Sequence, residues 1–215
     1  LALQLCDQLL GRNKKINAPA ISALKANAYA SIGSVYQEQG NYNEALKSAR
    51  EALKIKQEMN DKDGIARQYN NIGNIYGDLG NFSEAIKHYF SSLKIKEEIG
   101  DKKSIANSYN NIGSSYYEQR QYTEALAYHF TALKIRQEIN DKSGIANSYN
   151  NIGIIYEDEG KYTEALKYHT ASLEIMQQLG SKPGIANSYG NIGILYMHQE
   201  DNDKALKYFS DYLKI

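Results

Sequence analysis

Asparagine side chains recur at fixed spacing along the chain, and their carboxamides offer the most specific chemistry in the sequence. A carboxamide carries a hydrogen-bond donor and an acceptor together, so it can pair with both the C=O and the N–H of a peptide group. Asn is also a poor residue for a helix interior, so repeated use of it needs a reason. The three rows are Asn71, Asn111, Asn151 and Asn191; Asn70, Asn110 and Asn150; and Asn107, Asn147 and Asn187.

Two of the four histidines lie 40 residues apart, as metal ligands in a repeated unit would. His129 and His169 occupy the position that Tyr89 and Phe209 hold elsewhere. Equivalent positions of successive helix pairs are roughly 10 Å or more apart, whereas ligands of one metal ion lie within a few ångström of each other. We therefore predict histidines of the core or its edge, and no metal site.

The remaining reactive groups do not form a constellation that an enzyme needs. Cys6 is the only cysteine, which excludes an intramolecular disulfide and a thiolate zinc site. The carboxylates of residues 157–159 are expected to be a solvated cluster at a helix end, without the pocket that a general acid requires. No glycine-rich phosphate-binding motif is present. The sequence predicts no cofactor and no enzymatic activity.

Composition and charge describe an ordinary soluble, folded protein. The chain has 215 residues, 42% of them hydrophobic and 23% charged, with 25 basic against 25 acidic residues. This balance gives no electrostatic reason to expect nucleic acid or an anionic membrane as the partner. Uninterrupted apolar stretches of about 18 residues are absent, so no membrane contact is expected.

The elements that must position these side chains follow from a repeat of 40 residues. The repeat is seen in five tyrosines, five glycines and five alanines: Tyr29, Tyr69, Tyr109, Tyr149 and Tyr189; Gly33, Gly73, Gly113, Gly153 and Gly193; and Ala45, Ala85, Ala125, Ala165 and Ala205. A fixed period of this length is typical of repeat architectures.

Each unit holds two helices. Apolar steps of three and four residues predict a first helix, helix A, through Ile105, Ala106, Tyr109, Ile112 and Tyr116. The same steps predict a second, helix B, through Ala125, Leu126, His129, Ala132 and Leu133. The tyrosines share a face with the core residues, so we interpret them as packing aromatics.

The helix boundaries are marked by glycine and by polar residues. Gly40, Gly80 and Gly160 are expected to end helix A with a positive φ. Asn43, Ser83, Thr123 and Thr163 are predicted to be the N-caps of helix B. The helix B charges that include Lys96 and Arg136 are expected on an outward face that favours solubility.

These residues carry a family resemblance. The pattern Tyr109-x-x-Ile112-Gly113-x-x-Tyr116, followed by Tyr122, Ala125, His129 and Ala132, resembles the tetratricopeptide repeat (TPR) signature. Two departures are the replacement of the signature Trp by Tyr and a unit of 40 rather than about 34 residues. This longer unit is similar to the repeats of partner-of-inscuteable-type adaptors, kinesin light chains and bacterial TPR sensor proteins.

The resemblance implies an all-α fold, a right-handed α-solenoid of antiparallel helix pairs. We predict the end of a preceding repeat helix plus a linker at residues 1–20. A TPR array is expected to fill residues 21–215, with repeats at about 21–60, 61–100, 101–140, 141–180 and a truncated 181–215. Neither end shows a polar capping helix, so more repeats or another domain are expected beside this segment.

The resemblance also implies that helix A lines a concave inner surface where an asparagine row holds the backbone of an extended peptide. The open alternative is that the amides bond only between adjacent helices or within their own helix. Four carboxylates, Glu38, Asp78, Glu118 and Asp158, are expected further along this surface and favour a partner with basic residues.

The leading hypothesis is therefore a protein-interaction scaffold, part of a larger signalling protein and cytoplasmic. The partner is expected to be a protein or peptide. Two alternatives stay open: a structural spacer that self-associates through open solenoid ends, and the regulatory region of an enzyme whose catalytic domain lies elsewhere. Fold class alone does not decide among them.

Overall fold

The computed structural model describes residues 18–215, and this part of the chain is built from ten α-helices without a strand. The predicted remnant at residues 1–20 falls almost entirely outside the described residues, as does Cys6. The first five helices are α1 Ala18–Glu38, α2 Tyr42–Glu58, α3 Lys62–Asp78, α4 Phe82–Ile99 and α5 Lys102–Glu118. The other five are α6 Tyr122–Glu138, α7 Lys142–Asp158, α8 Tyr162–Gln178, α9 Lys182–His198 and α10 Asn202–Leu213.

The chain divides into two compact units within α5. In the first, which ends at Ser115, α1 packs on α2, α2 on α3, and α3 on α4. In the second, from Tyr116 to Ile215, each helix from α6 to α10 packs on the next. Odd-numbered helices correspond to helix A of the repeat and even-numbered helices to helix B. The predicted all-α fold of consecutive helix pairs is confirmed.

Turns within each pair use the left-handed backbone conformation. Gly40, Gly80 and Gly160 have φ of 72°, 72° and 73°, and Arg120 takes the same conformation at 58°. Helix B then begins two residues later, which makes the predicted N-caps wrong. The caps are Asn41, Asn81, Gln121 and Lys161, whereas Asn43, Ser83, Thr123 and Thr163 lie inside the first helical turn.

In the core, glycines of helix A pack against aromatic or imidazole rings of helix B. Gly153 lies against His169, and a Cβ at this glycine would come 2.7 Å from the imidazole Cε1. Gly73 lies in the same way against Tyr89, at 2.6 Å. The absent side chain therefore makes room for the ring of helix B, and the ring contributes the apolar area that the glycine cannot.

Stacked aromatic rings join helix A to helix B in each of four repeats. The Tyr116 and Tyr128 centroids are 5.3 Å apart with an angle of 2° between the ring planes, and Tyr156 and Tyr168 are 5.6 Å apart at 12°. The equivalent pairs are Tyr76 with His88 and Tyr196 with Tyr208. The interpretation of these tyrosines as packing aromatics is confirmed.

Candidate functional site

A polar groove of about 570 Å³ lies in the first unit, between α1, α3, α4 and α5. Asparagine side chains from three A helices line it: Asn27 of α1, Asn70 and Asn71 of α3, and Asn107 and Asn111 of α5. The 40-residue period therefore brings members of all three predicted rows to one surface.

The asparagine rows are hydrogen-bonded to each other across neighbouring A helices. Asn111 Nδ2 donates to Asn70 Oδ1 at 3.0 Å in the first unit. Asn191 Nδ2 donates to Asn150 Oδ1 at 2.5 Å in the second. Each bond joins residues 41 apart, because the repeat is 40 residues long and the two rows are offset by one. These amides therefore contribute to the stacking of repeats.

Asn71 differs from its equivalents because the chain gives it no such acceptor. The residue 41 positions earlier is Ala30, whose side chain cannot accept a hydrogen bond. The Asn71 side chain makes no hydrogen bond to any other described residue, and it lines the groove beside Ala30. Its donor and acceptor are both available there.

The other predicted asparagines are distributed along the A helices of both units. Asn107, Asn147 and Asn187 are exposed near the start of α5, α7 and α9. Asn110 and Asn151 are half-buried on α5 and α7. In both units, the first row of asparagines is less exposed than the third. The first row is Asn71, Asn111, Asn151 and Asn191, and the third is Asn107, Asn147 and Asn187.

Two cations of helix B are buried, not exposed as predicted. Lys96 and Arg136 were expected on an outward face, but each is only 5% exposed. Lys96 binds the carboxylate of Asp63 in the first turn of α3 and the carboxylate of Asp101 in the connection between α4 and α5. Arg136 donates to Gly144 O at 3.0 Å and to Ser148 Oγ at 2.7 Å on α7. These cations bind groups at the start of A helices.

The ion pairs around Lys96 neutralise one wall of the groove. Arg67, which lines the groove, lies 2.8 Å from Asp63. Hydrogen bonds from Ser104, together with Lys96, hold the pKa of the Asp101 carboxyl below its ordinary value. Two cations, Arg67 and Lys96, thus face two carboxylates, Asp63 and Asp101, and their formal charges sum to zero.

The four carboxylates expected on the inner surface lie at the ends of the A helices. Glu38, Asp78, Glu118 and Asp158 each occupy the last residue of a helix and are exposed. Asp78 accepts from Gln37 Nε2 at 2.6 Å, and Asp158 accepts from Tyr117 Oη at 2.7 Å. None of the four lines the groove of the first unit, so the surface there is polar rather than acidic.

His129 and His169 are core residues, as predicted, with exposures of 1% and 0%. Burial lowers the pKa of each imidazole to about 4, and for His129 the charge of Arg136 adds to the effect. Nδ1 of both rings and Nε2 of His169 have no hydrogen-bond partner among the described residues. Both rings are therefore neutral over the physiological range.

In the carboxylate cluster at residues 157–159, Asp158 and Glu159 are exposed as expected, but Glu157 is not. Glu157 has a side chain only 15% exposed, and its carboxylate lies 3.4 Å from His198 Nε2 and 3.9 Å from His169 Nε2. Burial raises its pKa, although His198 acts in the opposite direction. Among the described residues, no three His, Cys, Asp or Glu side chains are arranged to hold a metal ion.

The sequence profile of the tetratricopeptide repeat family matches residues 24–98, 64–138, 104–158 and 144–215. The chain belongs to the tetratricopeptide repeat family. Proteins with this repeat are typically non-catalytic scaffolds for protein–protein interaction. No curated protein matches the chain. Within residues 18–215, none of the TPR helices has the length and apolar character needed to cross a bilayer.

Solved structures of TPR-like proteins share the fold. BtubC from P. vanneervenii is 22% identical with a TM-score of 0.82, and the match covers 99% of this chain and 86% of that one. A kinesin-light-chain-like protein of nearly identical TPR-like repeats from Podosopora anserina is 15% identical with a TM-score of 0.71, over 87% and 92% of the two chains.

A Rap protein solved in complex with Competence and Sporulation Factor is 16% identical with a TM-score of 0.77. That match covers 98% of this chain and 57% of the Rap protein, so the TPR chain described here spans little more than half of it. At these identities, the likeness establishes the fold alone.

Proposed function

We propose that this TPR chain binds an extended peptide segment of a partner protein in the groove of its first unit. The observation that carries the proposal is the set of amides from α1, α3 and α5 that line one continuous polar surface. Carboxamides at regular spacing suit a peptide backbone, whose own donors and acceptors recur regularly.

The spacing of the helices supports this ligand. Neighbouring helices pack about 8 to 10 Å apart, and an extended chain advances about 3.3 Å per residue. An amide on each successive A helix would therefore meet the ligand about every third residue. Between those contacts, the side chains of the ligand would face the groove floor and the solvent alternately.

Asn71 and Asn111 have separable roles in this proposal. Asn111 donates one N–H to Asn70, so its second N–H and its carboxamide oxygen remain for a ligand. Asn71 keeps its whole carboxamide. The bond from Asn111 supports the alternative that the amides link adjacent helices, but a bond of this kind does not account for Asn71.

The test compares Asn71→Ala with Asn191→Ala. A phage-displayed library of random linear peptides is panned on the wild-type chain, and an enriched peptide is then made synthetically with a fluorophore. Fluorescence anisotropy gives its affinity, and circular dichroism gives the melting temperature. Asn71→Ala is expected to weaken binding about tenfold or more, corresponding to about 1.4 kcal/mol, with an unchanged melting temperature.

Asn191→Ala is the matched control because it removes an amide bonded to Asn150 in the second unit. It is expected to lower the melting temperature and to leave affinity unchanged. If no peptide is enriched, or if Asn71→Ala binds as tightly as wild type, the groove is not a peptide site.

The wider role proposed for the chain is a sensory or docking region of a cytoplasmic signalling protein. Its support is the likeness to the Rap protein that was solved with Competence and Sporulation Factor. Regulation of a catalytic domain elsewhere in the same protein is compatible with this role. The preference for basic residues in the partner stays a prediction that rests on Glu38, Asp78, Glu118 and Asp158.

The second candidate function, a self-associating spacer, stays a prediction, and Leu206 and Leu213 of α10 are the apolar residues that contacts between copies would use. Leu206 and Leu213 are 71% and 81% exposed. Three of their repeat equivalents are buried, with Leu46 8% exposed, Leu93 4% and Leu173 8%. Three others, Leu53, Leu126 and Leu166, are half-buried. This function predicts a molecular mass that rises with protein concentration in the absence of any ligand.

A further inference from the structure

One side chain at the floor of the groove is buried without a hydrogen-bond partner. Gln68 of α3 is 5% exposed, and its Oε1 accepts no hydrogen bond from any described residue. An unsatisfied buried acceptor costs about 1 to 3 kcal/mol, so its retention calls for an explanation.

Comparison with two other repeats shows that this cost comes from the glutamine at residue 68. Ser148 and Ser188 stand at the equivalent position on α7 and α9. Ser148 accepts from Arg136 at 2.7 Å, and Ser188 donates to Gly184 O at 3.0 Å. The position is thus satisfied within the protein at Ser148 and Ser188, and unsatisfied at Gln68.

Three further buried polar side chains line the same groove as Gln68. They are Ser92 and Lys96 of α4, 2% and 5% exposed, and Ser108 of α5, 3% exposed. We call these four residues, Gln68, Ser92, Lys96 and Ser108, the polar pit. It is a built cluster of buried hydrogen-bonding groups at the floor of the groove.

Two kinds of ligand group do not suit the polar pit: a charged group and an aliphatic group. Because Lys96 is already paired with Asp63 and Asp101, a charged ligand group would lose its water without gaining a counter-ion. An aliphatic group would leave the buried Gln68 Oε1 unpaired. An uncharged group that both donates and accepts satisfies the pit.

We propose that the polar pit is a specificity pocket for a carboxamide side chain, an Asn or Gln of the bound peptide. This inference rests on the proposed peptide-binding function. The ligand amide donates to Gln68 Oε1, and its oxygen accepts from a serine hydroxyl or from Gln68 Nε2. The terminal torsion of glutamine is soft, so the Gln68 carboxamide turns to face the ligand at small cost. Asn111 and Asn70 show the same amide-to-amide pairing in this unit.

The experiment pans the random peptide library on wild type and on Gln68→Ser, the residue that three other repeats carry at this position. The wild-type chain is expected to enrich peptides with Asn or Gln at one fixed position. Gln68→Ser is expected to lose that preference and to keep the rest of the consensus. Replacing the selected amide in a synthetic peptide by Leu, or by the matching acid, should weaken wild-type binding about tenfold and Gln68→Ser binding about twofold or less.

The melting temperature separates a specificity role from a structural one. Gln68→Ser removes an unpaired buried acceptor, so its melting temperature is expected to equal or exceed that of wild type. A large decrease would show that Gln68 supports the fold, and it would overturn the pocket. A charged or apolar residue at the fixed position, or an unchanged preference in Gln68→Ser, would overturn it too. Enriched peptides that lose affinity with Asn71→Ala but show no amide preference would leave the proposed function standing and refute only the pit.

Discussion

Acid should destabilise the second unit through its two buried histidines. Each imidazole has a pKa of about 4 in the folded chain because burial opposes its charge, against about 6.5 when unfolded. As the pH falls below 6.5, these imidazoles become protonated in the unfolded chain but stay neutral in the folded chain, so the free energy of unfolding decreases. The loss is complete below pH 4, where both states are protonated.

The magnitude at pH 5 follows from these pKa values. Protonation of each histidine shifts the equilibrium constant of unfolding by about 30-fold toward the unfolded chain, which is about 2 kcal/mol. His129 and His169 together give about 4 kcal/mol. For a chain of this size each kcal/mol shifts the melting temperature by about 2 to 4 °C, so the expected decrease from pH 7.5 to pH 5 is about 8 to 16 °C.

The assay compares wild type with the double variant His129→Tyr and His169→Phe, which places at each site a residue that another repeat uses, Tyr89 or Phe209. Melting temperatures are measured by circular dichroism from pH 7.5 to pH 4.5. The double variant should lose much less stability over this range. The pKa of His88 is also lowered by burial, and that of Glu157 is raised, but both groups titrate in both proteins. Equal acid losses in the two proteins would show that the buried histidines are not responsible.

The core geometry and the exposed face of α10 yield two further predictions. Gly153→Ala should destabilise the chain by about 1 to 3 kcal/mol in urea unfolding, because its Cβ would come 2.7 Å from the His169 ring; His169→Ala should relieve the cost, and no cost in the wild-type background would contradict the packing. Leu206→Lys with Leu213→Lys should abolish any concentration-dependent mass in light scattering, and a wild-type chain that is monomeric at all concentrations would exclude the spacer function.

The repeat period was sufficient to predict the fold because every repeated feature is local or recurs at one spacing. Helical periodicity around Tyr109 and Ile112 predicts helix A, and the glycine at residue 80 ends the preceding A helix with a positive φ of 72°. The core position of His129 follows from its alignment with Tyr89. These inferences need only the pattern within one unit and its recurrence.

The predictions that were wrong concern contacts between different helices and the exact residue at which helix B begins. Lys96 has a polar sequence neighbourhood typical of an exposed helix face, but its head group binds Asp63 on the A helix of its own repeat and Asp101 at the start of the next repeat. The N-caps were placed two residues too late because a hydroxyl in the first turn resembles a cap in sequence. The Asn111–Asn70 bond could have been found, since a 40-residue repeat with two adjacent rows brings residues 41 apart together.

Differences between repeats, rather than their shared residues, are the best guide to a ligand in this chain. A feature present in every repeat is explained by the packing that every repeat needs, as with the bond from Asn191 to Asn150. Ala30 interrupts that pattern and leaves the Asn71 carboxamide unpaired, and Gln68 replaces a serine and leaves an acceptor unpaired. Both irregularities lie in the same groove. At both positions the free protein lacks hydrogen bonds that the residues of other repeats make. A ligand that supplies those bonds is a physical reason for these two positions to differ from the other repeats.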